Sequence, residues 1–385
     1  MHALPKPSAE ELQLSQRLRS LILDEIAVKE GWISFARFME LALYTPGLGY
    51  YTGAANKFGE VGDFITAPGI SALFGRTLSQ PLAALLQEIP GGILELGAGD
   101  ASLAIHILKE LETRHSLLPS YYILEISGEL QQRQQQAIEQ HIPHLAKQVQ
   151  WLDKLPRHFR GAILANEVFD ALPTSLVYWD QETILERGVS ASENEFIWQE
   201  RPLTSAELYA IAQTIQVPSG YLSEINLRAR SLMRTLGSTL EEGIVLILDY
   251  GFPQHEYYHP QRNCGTVMCH YRHYAHDDPF FLPGLQDITS HVDFTALAHE
   301  AVETGLSLLS YTTQAQFLLS CGILQLLAET PADNVSEYSP LAAQVHKLLS
   351  PAEMGELFKA LILKKGSVHA LDYLGLRNRN LGFGL

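Results

Sequence analysis

Three cysteines in 385 residues, Cys264, Cys269 and Cys321, are too few and too irregularly spaced for a secreted disulfide framework. Cys264 and Cys269 lie close to His270 and His273, but that spacing fits no common zinc pattern, so no metal site is expected. Long apolar runs are missing too. The longest, Ile244 to Leu248 and Ala360 to Leu363, are strand-sized, which argues against a membrane span. The opening residues Met1 to Pro7 have neither a basic segment followed by an apolar one nor an Arg-rich character, so a cytoplasmic location is expected. Positive charge is scarce: 27 Lys and Arg face 43 Asp and Glu, for a net charge of −16. Such a field repels a polyanionic backbone and disfavours nucleic-acid binding, and the pair Lys364-Lys365 reads as a solvated loop. What is present, 46% hydrophobic and 18% charged residues, suits a globular enzyme with a large core and more than one compact lobe. The acidity also suits attraction of a basic peptide or an arginine side chain.

Residues 1–90 read as a helical N-terminal lobe. Leu14, Leu18, Leu21, Ile22 and Ile26 recur at helical spacing, and Ser34 is placed to cap a helix carrying Phe35, Phe38, Met39 and Leu43. A Gly- and Pro-dense stretch from Tyr44 to Pro68 follows, then an amphipathic segment from Ser71 to Glu88. Over 91–175 short apolar strands (Ile93–Leu96, Tyr121–Ile126, Gly161–Ala165) alternate with helices (Ser102–Arg114, Glu129–His141). Continuous apolar strands separated by helices predict an α/β fold with a mostly parallel sheet covered on both faces. Residues 176–240 read as an inserted α+β cap. Antiparallel strands come first, then a capping box at Thr204 and Glu207, then a helical stripe through Leu222, Ile225, Ala229, Leu232, Met233 and Leu236. Residues 241–385 form the second half of the core, with a Tyr-, His- and Pro-rich loop over 252–290 on the substrate side, and C-terminal helices.

The turn Glu95-Leu-Gly-Ala-Gly99 lies between a strand and a helix, the context that gives a Gly-x-Gly meaning. Gly97 and Gly99 allow a sharp turn and a close ligand approach. The third glycine of a dinucleotide fingerprint is absent, since 101 is Ala and 102 is Ser. A pyrophosphate needs helix N-terminal amides close by; S-adenosylmethionine has no phosphate and tolerates the shorter pattern. Glu95 offers a partner to the amino-acid end of such a cofactor. Glu125, ending the next strand, is placed to accept the two ribose hydroxyls. Trp151 and Asp153, near the third strand, are candidates for the adenine, with a plain core or surface aromatic as the alternative for Trp151. A nicotinamide-dependent dehydrogenase stays open at this point.

Asn166-Glu-Val-Phe-Asp-Ala-Leu-Pro173 follows the fourth strand, at the sheet edge where open α/β folds place reactive groups. In a helical turn Glu167 and Asp170, three apart, would share a face and hold a cation or accept a proton. Paired carboxylates would hold a guanidinium in a fork. The alternative is a helix capped by Asn166 with solvated acids.

Six ordered motifs carry a family resemblance: Gly62 to Pro68, Glu95 to Gly99, Asn166 to Pro173, Asp249 to Gly251, Asp287 to Phe294 and Met354 to Phe358. From about Phe35 to its C-terminus the chain resembles the MidA-type S-adenosylmethionine-dependent methyltransferases, whose mitochondrial members act on an arginine of a respiratory complex I subunit during assembly. The resemblance implies a Rossmann-like class I core with an N-terminal lobe and inserted cap, S-adenosyl-L-methionine as cofactor, and a protein substrate. It implies cofactor contacts at Glu95, Gly97, Gly99 and Glu125, a Gly62-Asp63 loop closing over the cofactor, and a reacting centre of Asn166, Glu167 and Asp170. It also brings His291 as a general base level with the alternative of a structural histidine before a helix. Gly69 departs from the family, where Glu is usual after the Ala-Pro, and the glycine common after Gly99 is missing. An assembly factor that keeps the pocket without turnover, and a small-molecule methyltransferase, are the alternative functions. The methyl acceptor and the oligomeric state are not fixed by these motifs.

Overall fold

The computed structural model describes residues 4–53, 66–116, 119–181 and 183–376. The chain divides into two compact units. One comprises Met1–Phe64, Asp170–Ser231 and Gln254–Val292; the other comprises Ile65–Phe169, Leu232–Pro253 and Asp293–Leu385.

The second unit is built on a mixed sheet. Across it the strands run Ser307–Thr313, Phe358–Lys365, Leu240–Phe252, Phe159–Asn166, Gly92–Leu96, Tyr121–Leu124 and Val149–Leu152. The five from Leu240–Phe252 to Val149–Leu152 are parallel neighbours, and Phe358–Lys365 is antiparallel to both strands beside it. Along Leu240–Phe252, Ile244, Leu246 and Leu248 join a core with Leu78, Leu82 and Leu85 of the Ala72–Glu88 helix and Ala104, Ile107 and Leu111 of the Ser102–Thr113 helix. Val245 and Ile247 alternate with them, point to the other face and are fully buried as well. Burial on both faces is why these strands read as unbroken apolar runs, and it gives the Rossmann-like α/β layering of helices on both sides of a largely parallel sheet. Strand order reverses between Gly92–Leu96 and Phe159–Asn166, so the carboxyl ends of these two neighbours open the crevice in which such sheets place ligands.

The first unit joins the N-terminal helices to the inserted segment. Ala9–Val28 starts at a capping box formed by Ser8 and Glu11, and Phe35–Tyr44 starts at Ser34, whose hydroxyl accepts from the Arg37 N–H. Their apolar faces share a core with Val189, Phe196, Cys269 and Ile288. Ile184–Ser192 is the hub of this unit's antiparallel sheet, pairing with Trp32–Ser34, Ser175–Trp179 and Glu195–Pro202, while Tyr221–Ile225 extends it from Ser175–Trp179. Met268–Tyr271 pairs with Tyr274–His276 and Asp287–Thr289 in a smaller sheet.

Several local expectations change. Lys364 and Lys365 end the Phe358–Lys365 strand, half-buried and paired with Ile244 and Gly243, and form no solvated loop. The helix in the inserted segment is capped by Ser205, not Thr204: its hydroxyl accepts from the Leu208 N–H. The stripe from Leu222 to Leu236 is split, because Leu222 and Ile225 belong to a strand and the helix begins at Leu227 with Asn226 Oδ1 accepting from Ala229 N–H. Residues 167–173 form an irregular turn and no helix, so Glu167 and Asp170 do not share a helical face. Among the described residues no helix is long and apolar enough to cross a membrane.

At the amino end of the parallel strands, Gly92, Gly161 and Gly243 stand in register on three adjacent strands. A Cβ on Gly161 would lie 2.1 Å from the Gly92 carbonyl oxygen, and one on Gly243 would lie 1.9 Å from that of Gly161. These are backbone collisions that no rotamer change relieves. Gly161→Ala is therefore expected to destabilise the protein by on the order of 3 kcal/mol, measured by denaturant unfolding. A variant within about 0.5 kcal/mol of the parent would show that the strands do not approach this closely.

Candidate active site

The turn after Gly92–Leu96 is made by alternate residues in the left-handed region: Gly97 at φ +60°, Gly99 at +54° and Ala101 at +67°. The Gly97 N–H donates to the Leu124 carbonyl at 3.1 Å, tying the turn to the neighbouring strand. A Cβ on Gly97 would meet Val168 Cγ2 at an ordinary 3.6 Å, so backbone conformation rather than space calls for glycine there. Ala101 occupies such a conformation without being glycine. It is the N-cap of the Ser102–Thr113 helix and has no side chain to cap it, so Asp100 Oδ1 takes over by accepting the Ser102 N–H at 3.0 Å. The glycine missing from the sequence pattern is thus visible as local strain.

Two carboxylates lie beside this turn. Glu95 is 2% exposed and accepts a 2.7 Å hydrogen bond from the Tyr121 hydroxyl. Burial pushes its carboxyl up to about 7 against the opposing Tyr121 bond, and Asp100 and Glu125 add to the rise. Glu125 ends the next strand; burial raises its carboxyl, opposed by hydrogen bonds from Ser127 and Gln134. The Ser127 N–H donates to Oε1 and the Gln134 Nε2 to Oε2, each at 2.9 Å. Gln134 is fully buried, donates also to the Gly99 carbonyl at 3.1 Å, and accepts the Trp151 indole N–H at 2.8 Å. No sequence motif singles out Gln134. Its signal was its place between Leu130 and Ile138 on the buried stripe of a glutamine-rich helix. Asp153 is exposed, one residue beyond the Val149–Leu152 strand, and Gly62 and Asp63 lie outside the described residues.

Across the switch point, Asn166 is the last residue of its strand and Glu167 the first of the turn, at φ +53°. Glu167 Oε1 accepts from Asn166 Nδ2 at 3.1 Å and from the Ala67 N–H at 3.3 Å, while the Glu167 N–H donates to the Leu248 carbonyl. Asn166 Oδ1 is buried and lacks a hydrogen-bond partner among the described residues, leaving an acceptor available at the sheet edge. The fully buried Asp249 holds the turn from behind: Oδ2 accepts the Phe169 N–H at 3.0 Å and Oδ1 the Tyr250 N–H at 2.9 Å. The Asp249-Tyr-Gly251 motif therefore has a structural reason, the fixing of the turn that carries Glu167.

The other two predicted catalytic residues belong to the first unit. Asp170 is 5% exposed, and its carbonyl accepts the Ser290 N–H at 2.9 Å, which brings it next to the segment bearing His291. His291 is held through its backbone, its N–H on Thr266 Oγ1 and its carbonyl under the Tyr257 hydroxyl; the cap of the following helix is Asp293. Glu224 is 2% exposed and accepts from Thr266 N–H, Val267 N–H and the Tyr257 hydroxyl. Its oxygens are engaged in anchoring the 266–267 loop. Among the described residues no group of three or more His, Cys, Asp or Glu side chains is arranged to hold a metal ion.

Relief of the strain at Ala101 is measurable. Left-handed backbone costs an L-residue about 1–2 kcal/mol and glycine loses about 0.5–1 kcal/mol in chain entropy, so Ala101→Gly should stabilise the protein by about 0.5–1 kcal/mol. A denaturant midpoint unchanged or lowered would mean that the alanine is not strained.

Residues 73–312 match the model of a family described as "Putative S-adenosyl-L-methionine-dependent methyltransferase". A superfamily member from Burkholderia thailandensis, whose crystal structure holds S-adenosyl-homocysteine, is 44% identical and superposes with a TM-score of 0.94 over 98% of this chain and 99% of that one. Among curated proteins, the mitochondrial protein arginine methyltransferase NDUFAF7 homolog of Drosophila melanogaster is 28% identical, covering 93% of this chain and 86% of its own. The Danio rerio protein arginine methyltransferase NDUFAF7 is 29% identical, with 90% and 87% covered. With more than half of its length under the family model and its six motifs in order, the chain belongs to the MidA-type family of S-adenosyl-L-methionine-dependent methyltransferases.

Proposed function

We propose that this methyltransferase moves a methyl group from S-adenosyl-L-methionine to an arginine side chain of a partner protein. The observation that carries the reading is the Asn166–Glu167 pair: a side-chain carbonyl and a carboxylate set at the strand's carboxyl end by a left-handed residue, the kind of backbone outlier that clusters at functional sites. An acceptor carbonyl beside a carboxylate suits the several N–H groups of a guanidinium. Asp170 and His291 are assigned to the acceptor side by residue type and family resemblance. Support for arginine comes from the names of the Drosophila and zebrafish relatives, and a respiratory-complex subunit is the first acceptor to try.

The cofactor is assigned to the turn and the acids around it. Gly97 and Gly99 offer a cradle free of side chains, Glu125 the acceptor for the ribose hydroxyls, Trp151 and Asp153 the surroundings of the adenine, and Glu95 a partner for the amino-acid end. Gly62 and Asp63 are proposed to cover it. The bound sulfonium supplies an electrophilic methyl group for in-line displacement. Glu167 orients the attacking nitrogen and favours loss of its proton.

Two experiments test this. Incubation of a candidate partner with S-adenosyl-L-methionine and the enzyme should give methylarginine by mass spectrometry. Glu167→Gln should lower kcat by about 100-fold or more with cofactor affinity retained. Methylation of a small molecule instead, or full turnover by Glu167→Gln, would overturn the assignment.

The second is a pH series. Binding a cation beside Glu95 favours its ionised form, so below pH 7 binding must expel a proton, and above it the carboxylate is already charged. Affinity for S-adenosyl-L-methionine should therefore weaken about tenfold from the plateau above pH 8 down to pH 6, and Glu95→Gln should flatten the profile. Calorimetry showing a flat wild-type profile would remove Glu95 from the amino-acid end.

A further inference from the structure

Gln134 is the one fully buried glutamine of a helix whose neighbours Gln132, Gln135 and Gln136 face solvent. Packing alone does not require an amide there, since Leu130 and Ile138, one turn to either side on the same stripe, are aliphatic. The amide instead meets three groups from three adjacent strands: the Gly99 carbonyl after the first, the Glu125 carboxylate at the end of the second, and the Trp151 indole on the third. A carbonyl and a carboxylate only accept, and an indole N–H only donates. This set fixes which end of the amide is which and uses both of its N–H bonds. The second carboxylate oxygen of Glu125 is held by the Ser127 N–H at the start of the same helix. Glu125 is thus gripped from two points of one rigid element, and the turn and the indole are referenced to that element too.

We propose that Gln134 is a positioning residue for the nucleoside half of the cofactor, setting the spacing among the carboxylate that meets the ribose, the turn beneath it and the indole beside the base. The proposal rests on the reading of Glu125 as the ribose acceptor. Without the amide the carboxylate keeps only its Ser127 anchor among the hydrogen bonds described above, and a hydroxyl pair then meets a group free to rotate away. Affinity falls, and the part lost is the part that senses the hydroxyls.

The test compares S-adenosylhomocysteine with its 2′-deoxy analogue by calorimetry, in the wild type, Gln134→Met and the isosteric Gln134→Glu, with folding checked by thermal unfolding. The wild type should prefer the hydroxylated ligand by about 10-fold or more, the worth of a hydrogen bond to a charged acceptor. In both variants that preference should shrink to about 3-fold or less, while S-adenosylhomocysteine itself binds about 10-fold more weakly. A purely structural role would weaken both ligands equally and preserve the ratio, which would overturn the proposal; so would unchanged affinity in a folded variant. Should Gln134→Met fail to fold, Gln134→Glu alone decides between these outcomes, because it keeps the volume and the acceptor for Trp151 and replaces the amide N–H pair that holds Glu125 with a second carboxyl group. Wild type that binds S-adenosylhomocysteine without preferring it to the deoxy analogue would instead remove Glu125 from the ribose, a separate failure.

Discussion

Parallel pairing of Gly92–Leu96 with Tyr121–Leu124 on one side and Phe159–Asn166 on the other fixes where the second unit can be polar. Parallel strands leave the sheet at the same edge, and their buried faces admit few polar side chains in between. The ends of the strands are then the places where unpaired backbone and charged groups collect. Leu96 stands beside Leu124 and Ala165 in the ladder, so the turns that follow all three open side by side. Strand order reverses between the first and the fourth, and the crevice between them is a result of topology before any side chain is chosen.

The buried acids of the two units are held in different ways. Asp249 is fully buried with each oxygen on a backbone N–H, a structural use of a carboxylate. Glu224 in the first unit is spent likewise on the 266–267 loop. Glu125 accepts from the Ser127 N–H and the Gln134 amide just past the end of its strand, and Glu167 Oε1 accepts from Asn166 and Ala67 at the end of another. Glu95 sits between these extremes: one phenol contacts it, and burial brings it close to neutral.

The fold was readable because its cause is local. Apolar runs such as Ile244 to Leu248 report burial on both faces without any knowledge of partners, and Ser34 announces its helix by residue type. Reading erred where two local rules agree on the residues and tertiary pairing chooses between them. Leu222 and Ile225 fit a helical stripe by spacing, but pairing with Ser175–Trp179 makes them a strand. Thr204 and Ser205 are both capping residues, one position apart. Glu167 was expected in a helical turn; the Asp249 carboxylate, 80 residues away in the chain, holds the Phe169 amide in an irregular one. The geometry of the turn after Gly92–Leu96 was half visible. Gly97, Gly99 and Glu125 follow from the strand–turn–helix context, whereas Gln134 looked like one surface glutamine among many because its three partners come from three separate strands.

The bond from Trp151 to Gln134 has a spectroscopic side. Trp32, Trp179 and Trp198 belong to the first unit, and Trp151 is the sole tryptophan of the second among the four in the chain. Its indole is half-buried and hydrogen-bonded to a neutral amide that also contacts the glycine turn and Glu125. Emission from this ring responds to the polarity around the glycine turn, while the other three report on the first unit. With phenylalanine at those three positions, Trp151 would be the only tryptophan of the chain, wired to the same amide that holds Glu125 and the glycine turn.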